Sequence, residues 1–189
     1  MLTVEKRSLQ KKNKQLRREG LVPANIFGGS LEEAMPIQLR EQDAVKLRRE
    51  KNEGSRLDLQ VEGEVIPVQI KDADTDPLTG KILHIDFEAL KRGHKVNSVV
   101  HIVLKNAEKM INLLDTQLME IPYNALPRDM IDTVTVDLDG VTPGTVILVK
   151  DIPELMTGKL ELLVEEDSVV VHVKEHAGHA PEEEETAAE

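Results

Sequence analysis

The sequence predicts a mostly β protein with some α. It comprises a small N-terminal β-barrel carrying two or more helices, a C-terminal all-β domain and a disordered acidic tail. Three observations predict this. Apolar and polar residues alternate over short runs bounded by Gly, Pro, Asn and Asp. Two stretches in the first half use good helix formers instead. Charge is also unevenly placed: residues 1–92 hold 17 Lys/Arg against 16 Asp/Glu, and residues 93–175 hold 7 against 14. Residues 176–189 hold five Glu and no Lys or Arg. The expected domains are therefore 1–92, 93–175 and a tail at 176–189.

The elements follow in order. Leu2 and Val4 precede charge, so Met1 to Glu5 reads as an opening strand. Leu9 to Glu19 is rich in helix formers, with Ser8 as the expected N-cap and Gly20 as the C′ residue. Leu9 and Leu16 are seven apart and share one narrow apolar face. Val22 to Phe27 (VPANIF) reads as a strand entered through Pro23 and ended by Gly28-Gly29. Met35 to Leu39 is a second extended piece. Glu41 to Asn52 reads as a helix with Ala44, Val45 and Leu47 apolar, stopped by Asn52 and Gly54. Arg56 to Gly63 alternates, with Leu57, Leu59 and Val61 on one face. Glu64 to Lys71 follows after a short break, which predicts a hairpin. Asp76 to Gly80 (DPLTG) is a turn signal. Lys81 to Leu90 sets Ile82, His84 and Asp86 against Leu83, Ile85 and Phe87. After the boundary at Lys91 to His94, strands are expected at 96–104, 119–123, 133–138, 145–149, 159–164 and 168–173.

Composition excludes several classes. Cysteine is absent, which removes disulfides, thiolate metal sites and thiol nucleophiles. The aromatic residues are Phe27, Phe87 and Tyr123, so Val, Ile and Leu must build the core. Charge arrives at Glu5 before any apolar run, so no secretory signal is visible. Apolar runs such as Val169 to Val171 are too short to span a bilayer. The expectation is a cytoplasmic protein that uses no membrane.

Against a net charge of -11, Lys6 to Arg18 (KRSLQKKNKQLRR) holds seven cations and no acid. These are Lys6, Arg7, Lys11, Lys12, Lys14, Arg17 and Arg18. Such a cluster fits a polyanion; a basic arm or a solvated helix face carries the same charge. Aromatic scarcity narrows the polyanion. Single-strand readers need several stacking platforms, so structured RNA read by shape and backbone is expected.

Catalytic signatures are largely missing: there is no P-loop, G-x-G-x-x-G, G-x-S-x-G or H-E-x-x-H. One constellation, Asp72, Asp74, Asp76, His84 and Asp86, suggests a metal-dependent phosphoesterase as an alternative. The same aspartates bracket a Pro-Gly turn, where Asp serves local hydrogen bonding. His84 and Asp86 are two apart on one strand face. They point toward the helix cations, or they form the polar side of a half-buried strand.

Three segments together carry a resemblance: LRREG followed by VPANIFGG, DADTDPLTGKILHIDF from Asp72 to Phe87, and the acidic all-β second half. The chain resembles the bacterial large-subunit ribosomal proteins that bind 5S rRNA, in their longer two-domain form known as general stress protein CTC. The resemblance implies a barrel whose helix lies along a 5S rRNA stem, with no catalysis, cofactor, metal or small-molecule substrate. It implies RNA contacts from Arg7, Lys14 and Arg17, joined by Lys12 and Arg18 of the same stretch. It adds Phe27, where a tyrosine is usual, and His84 and Asp86. Lys11-Lys12 stands where Gly-Lys is usual, and Asp74 where glutamine is frequent. The implied partners are 5S rRNA, the large ribosomal subunit and, through the C-terminal domain, neighbouring ribosomal proteins. A stress-related interaction module with an acidic second domain is a further alternative.

Overall fold

Alternation in the first half closes a barrel. The computed structural model describes residues 1–8, 10–29, 31–109 and 114–174. Strands β1 (Leu2–Lys6), β2 (Leu21–Phe27), β3 (Met35–Arg40), β4 (Arg56–Val61), β5 (Glu64–Thr75) and β6 (Ile82–Ala89) pair in the order β1-β3-β2-β6-β5-β4. β1 returns to β4 in a parallel pairing, and β2 runs parallel to β6. Closure removes the free edges that an open sheet would expose. Inward residues Val22, Ala24, Ile26, Ile37, Leu59 and Phe87 are buried together in the barrel core. Each large apolar side chain sealed there contributes about 1.5–3 kcal/mol. Glu62 and Gly63 both take positive φ in the tight β4–β5 turn, which holds the predicted hairpin in register.

Helix α1 (Asn13–Arg18) lies between β1 and β2, and α2 (Glu41–Glu50) follows β3. Both are shorter than the sequence suggests. Ser8 does not cap α1; its Oγ accepts from Gln10 N at 3.4 Å. Lys12, in an extended conformation, occupies the N-cap position. Arg7 N donates to Pro36 O at 3.0 Å and continues the β1–β3 pairing, so the chain is still tied to the sheet at Arg7. The expectation for Leu9 lies outside the described residues. Gly20 (φ 76°) ends α1 as expected. α2 stops because Lys51 turns extended, two residues before Glu53.

β5 runs on to Thr75 instead of stopping at Lys71. Asp72 and Asp74 therefore sit in a strand opposite Asp86 and His84, and the turn begins at Asp76. A register shift between Asp74 and Thr75 rotates Ile82 into the core, so Ile82 does not share the polar face of His84.

The second half forms two packed sheets from β7 (Val96–Lys105), β8 (Leu114–Thr116), β9 (Glu120–Ala125), β10 (Thr133–Asp137), β11 (Val146–Leu148), β12 (Glu161–Leu162) and β13 (Val169–Val173). One sheet has the order β10-β7-β9-β12 and the other β11-β13-β8. Val100, Ile121, Tyr123, Val134, Val170 and Val171 meet between them. The Tyr123 hydroxyl donates to Ile131 O at 2.9 Å and accepts from Ile131 N at 3.0 Å, which satisfies it in the core. The run expected at 159–164 pairs over Glu161–Leu162 alone, and β8 is a strand that alternation did not reveal. The tail at 176–189 lies outside the described residues.

Barrel and second unit meet at the Asn52–Ser55 turn. Ser98 Oγ donates to Gly54 O at 3.0 Å, and Gly54 N donates to Ile70 O at 2.8 Å. His101 Nε2 lies 2.9 Å from Glu53 O, and Lys51 Nζ reaches Asp132 Oδ2 at 2.6 Å. Gln69, fully buried, donates to both Glu88 and Asn97 O. Among the described residues no helix is long and apolar enough to cross a membrane.

Candidate nucleic-acid interface

α1 is a six-residue helix and too short to be stable alone. It packs against β2, with Leu16 only 1 % exposed. Arg17 adds a second tether: its Nη1 donates to Leu83 O at 3.3 Å, at the start of β6. Arg17 and Arg18 also occupy the last turn, where cations complement the helix dipole.

The seven cations divide into three groups. Lys6 Nζ is 2.7 Å from Glu62 Oε2, and Lys11 Nζ is 2.7 Å from Glu19 Oε2. The Lys11 ammonium holds the Glu19 carboxyl below its usual range. These two cations are locally neutralised. Arg7 and Arg17 are half-buried and brace backbone. Arg7 Nη2 donates to Lys11 O at 3.2 Å, and its Nε is buried without a partner. Lys12, Lys14 and Arg18 are exposed and form no salt bridge among the described residues. They carry the charge that faces solvent.

Beside the helix, β2 and β6 present a polar face. Asn25 is the register partner of Asp86 across the parallel pair. Its Nδ2 lies 3.3 Å from His84 Nε2 and 3.3 Å from Asp86 Oδ1, and His84 Nδ1 lies 3.5 Å from the same carboxylate oxygen. The Asn25 amide, the His84 ring and the Asp86 carboxylate thus lie within hydrogen-bond reach of one another. The face is thereby rich in acceptors: Asn25 Oδ1 and Asp86 Oδ2 hold no hydrogen bond among the described residues. Such groups suit ribose hydroxyls and base amino groups, while phosphates suit the helix cations. Phe27, half-buried at the end of β2, is two residues beyond Asn25 and shares its strand face.

The metal constellation does not assemble. Asp76 Oδ1 accepts from Leu78 N at 2.9 Å and Thr79 N at 3.4 Å, an Asx turn, and the Leu78 amide holds its carboxyl below the usual range. Asp72 Oδ1 accepts from Ala73 N. Among the described residues, no group of three or more His, Cys, Asp or Glu is placed to hold a metal ion.

Comparison with known proteins follows this geometry. The sequence model of the Ribosomal L25p family matches residues 2–87, and that of the ribosomal protein TL5 C-terminal domain matches residues 95–177. The chain is 31% identical to the large ribosomal subunit protein bL25 of Enterococcus faecalis, over 100% of this chain and 94% of that protein. It is 29% identical to bL25 of Carboxydothermus hydrogenoformans, over 91% of this chain and 86% of that protein. It is 27% identical to bL25 of Syntrophomonas wolfei, with 91% and 84% covered.

The chain belongs to the ribosomal L25p family.

It has the long form of that family, in which the TL5-type C-terminal domain follows the L25p part. As a bL25-type protein it is a ribosomal protein of the large subunit, not an enzyme, and its place is the cytoplasmic ribosome. The fold places Lys14, Arg17 and Arg18 on α1 and Lys12 at its N-cap, next to a strand face holding Phe27, His84 and Asp86. Arg7 stands apart as a brace of the loop leading into α1. Asn25 was missed by the sequence reading. The available signal was its spacing, two residues before Phe27 on the same strand face, but its bonds to His84 and Asp86 come from chain 59 and 61 residues away.

Proposed function

We propose that this L25p-family protein binds 5S rRNA through α1 and the adjoining face of β2 and β6. The observation that carries the reading is the juxtaposition of unpaired helix cations with an acceptor-rich, hydrogen-bonded polar cluster on a closed barrel. Lys12, Lys14 and Arg18 meet phosphates. Arg7 and Arg17 also meet phosphates, with the donors left over from holding the loop and helix in place. Asn25, His84 and Asp86 engage ribose and base edges, and Phe27 packs against the same strand of RNA. Because few aromatics are present, the RNA is held as a folded stem. Residues 1–92 act as the RNA-binding unit and residues 93–175 meet neighbouring ribosomal proteins of the large subunit.

The test is a gel shift of the full chain with 5S rRNA against an unrelated RNA duplex, with Asn25→Ala and His84→Ala alongside. Full-length protein is preferred because truncation near residue 92 would uncover Gln69, which is buried and donates to Asn97 O of the second unit. Each substitution removes hydrogen bonds worth about 0.5–1.5 kcal/mol apiece, so affinity for 5S rRNA falls by roughly threefold to tenfold. The melting temperature stays close to that of the parent. Parental affinity in both variants refutes the assignment of this face.

A further inference from the structure

A second cationic surface lies away from α1, and none of its residues belongs to the RNA face. A cleft of about 790 Å³ opens between the β4–β5 hairpin, the linker that follows β6 and the turn after β9. Its rim carries Arg56, Arg92 and Arg128, against one lining carboxylate, Asp58. Its floor is apolar, from Val65, Leu90 and Leu126 together with Pro67 and Pro127. Alternation along β4 explains the rim: Leu57 and Leu59 turn inward, so Arg56 and Asp58 must turn outward. Arg56 Nη1 donates to Pro127 O at 3.1 Å, which fixes the guanidinium at the junction and leaves its other donors free. Leu90 N donates to Pro67 O at 2.8 Å and sets the linker against the hairpin. Arg128 Nε bonds Asp129, while Arg92 is exposed and forms no salt bridge among the described residues.

The geometry points to this cleft as a docking site for an acidic, aliphatic peptide segment of a neighbouring protein. Charge complementarity selects the occupant. The acidic second unit would repel most anions, yet this rim carries three arginines, of which Arg56 and Arg92 form no salt bridge among the described residues, and planar guanidinium forks pair bidentately with carboxylates. The floor selects further. Val65 is 51% exposed, an aliphatic side chain beside Pro67 on the outer face of the hairpin. An RNA backbone offers no side chain to cover it. The cleft lining contains no aromatic residue on which a displaced base would stack. A segment with Asp or Glu flanking Leu or Ile satisfies both rim and floor, in the pattern of an apolar anchor ringed by arginine contacts.

The experiment is fluorescence anisotropy of the full chain with a labelled peptide alternating Glu and Leu. A Lys/Leu peptide and a labelled RNA duplex serve as comparison probes. The acidic peptide binds and the Lys/Leu peptide does not. Arg56→Glu combined with Arg92→Glu weakens the acidic peptide about tenfold or more, and Val65→Asp, at an exposed position, weakens it independently. Affinity for 5S rRNA is unchanged in both variants, which separates this site from the α1 face. Three results overturn the proposal: no acidic-peptide binding, equal binding of both peptides, or loss of RNA affinity in the arginine variant with peptide binding intact.

Discussion

Lys14→Ala and Lys6→Ala remove the same charge eight residues apart, yet the structure assigns them different effects. Lys14 is exposed on α1 without a carboxylate partner among the described residues. Lys6 is 2.7 Å from Glu62. Counterion release sets the salt dependence of RNA binding, at about 0.7–0.9 ions per phosphate neutralised. Lys12, Lys14 and Arg18 with Arg7 and Arg17 give about five contacts and a log–log slope of about -4. Raising salt from about 50 to 200 mM then weakens binding roughly 250-fold. Without Lys14 the slope becomes about -3.2 and the same salt change costs roughly 80-fold. Lys6→Ala leaves the slope at its parental value, because Glu62 already compensates that charge. The assay is filter binding to 5S rRNA at five or more salt concentrations for each protein. Equal loss of slope in the two variants, or a slope near zero in the parent, refutes the division into free and neutralised cations.

Other perturbations probe the same architecture. Glu19→Gln releases Lys11, so binding to 5S rRNA strengthens and the salt slope steepens by about 0.7–0.9; an unchanged slope means Lys11 does not reach the RNA. Gly54→Ala places a Cβ 2.5 Å from Val99 O at a residue with φ +78°, where strain and overpacking cost about 2–5 kcal/mol. Thermal melting should drop by about 5 °C or more, and a parental melting point contradicts the seam described above. Acid weakens the fold through Glu19, Asp76 and Asp137, each held below its ordinary value by Lys11, the Leu78 amide and the Asp139 amide respectively. Because their folded values are depressed, their stabilisation is complete above the ordinary values of 4.5 for Glu19 and 3.8 for the aspartates. It is lost as pH falls through the lower folded values. Urea midpoints measured downward from about pH 6 should fall in that window; a midpoint that rises there contradicts the sign.

Much of the barrel is legible in the chain because strand burial has a period of two. VPANIF, RLDLQV and the run through Ile85 and Phe87 state which side chains face inward before any contact is known. Where the period breaks, legibility ends. Asp72 to Thr75 carries little apolar signal and looks like the start of a turn, yet pairing with β6 extends the strand through it. β8 has a single Leu in three residues and exists because β13 supplies its partner. The chain ahead of α1 is still tied to the sheet at Arg7, whose N donates to Pro36 O, a bond that no helix propensity anticipates. Pairing with distant chain overrides local preference in each case.

By itself the sequence determined the inventory: a cation cluster without acids, alternating strands, a Gly-terminated helix, few aromatics and an acidic second half. These are local properties, set by residue type and by spacings of two to seven. The tertiary structure decided which members of that inventory are available to a partner. Lys6 is neutralised by Glu62, Arg17 is tethered to Leu83, and Asn25 is joined to His84 and Asp86. Arg56, Arg92 and Arg128 gather around one cleft from three separate segments. Ion pairs and hydrogen bonds act over a few ångströms of space, and a chain of fifty or more residues between partners leaves no trace of them in local pattern.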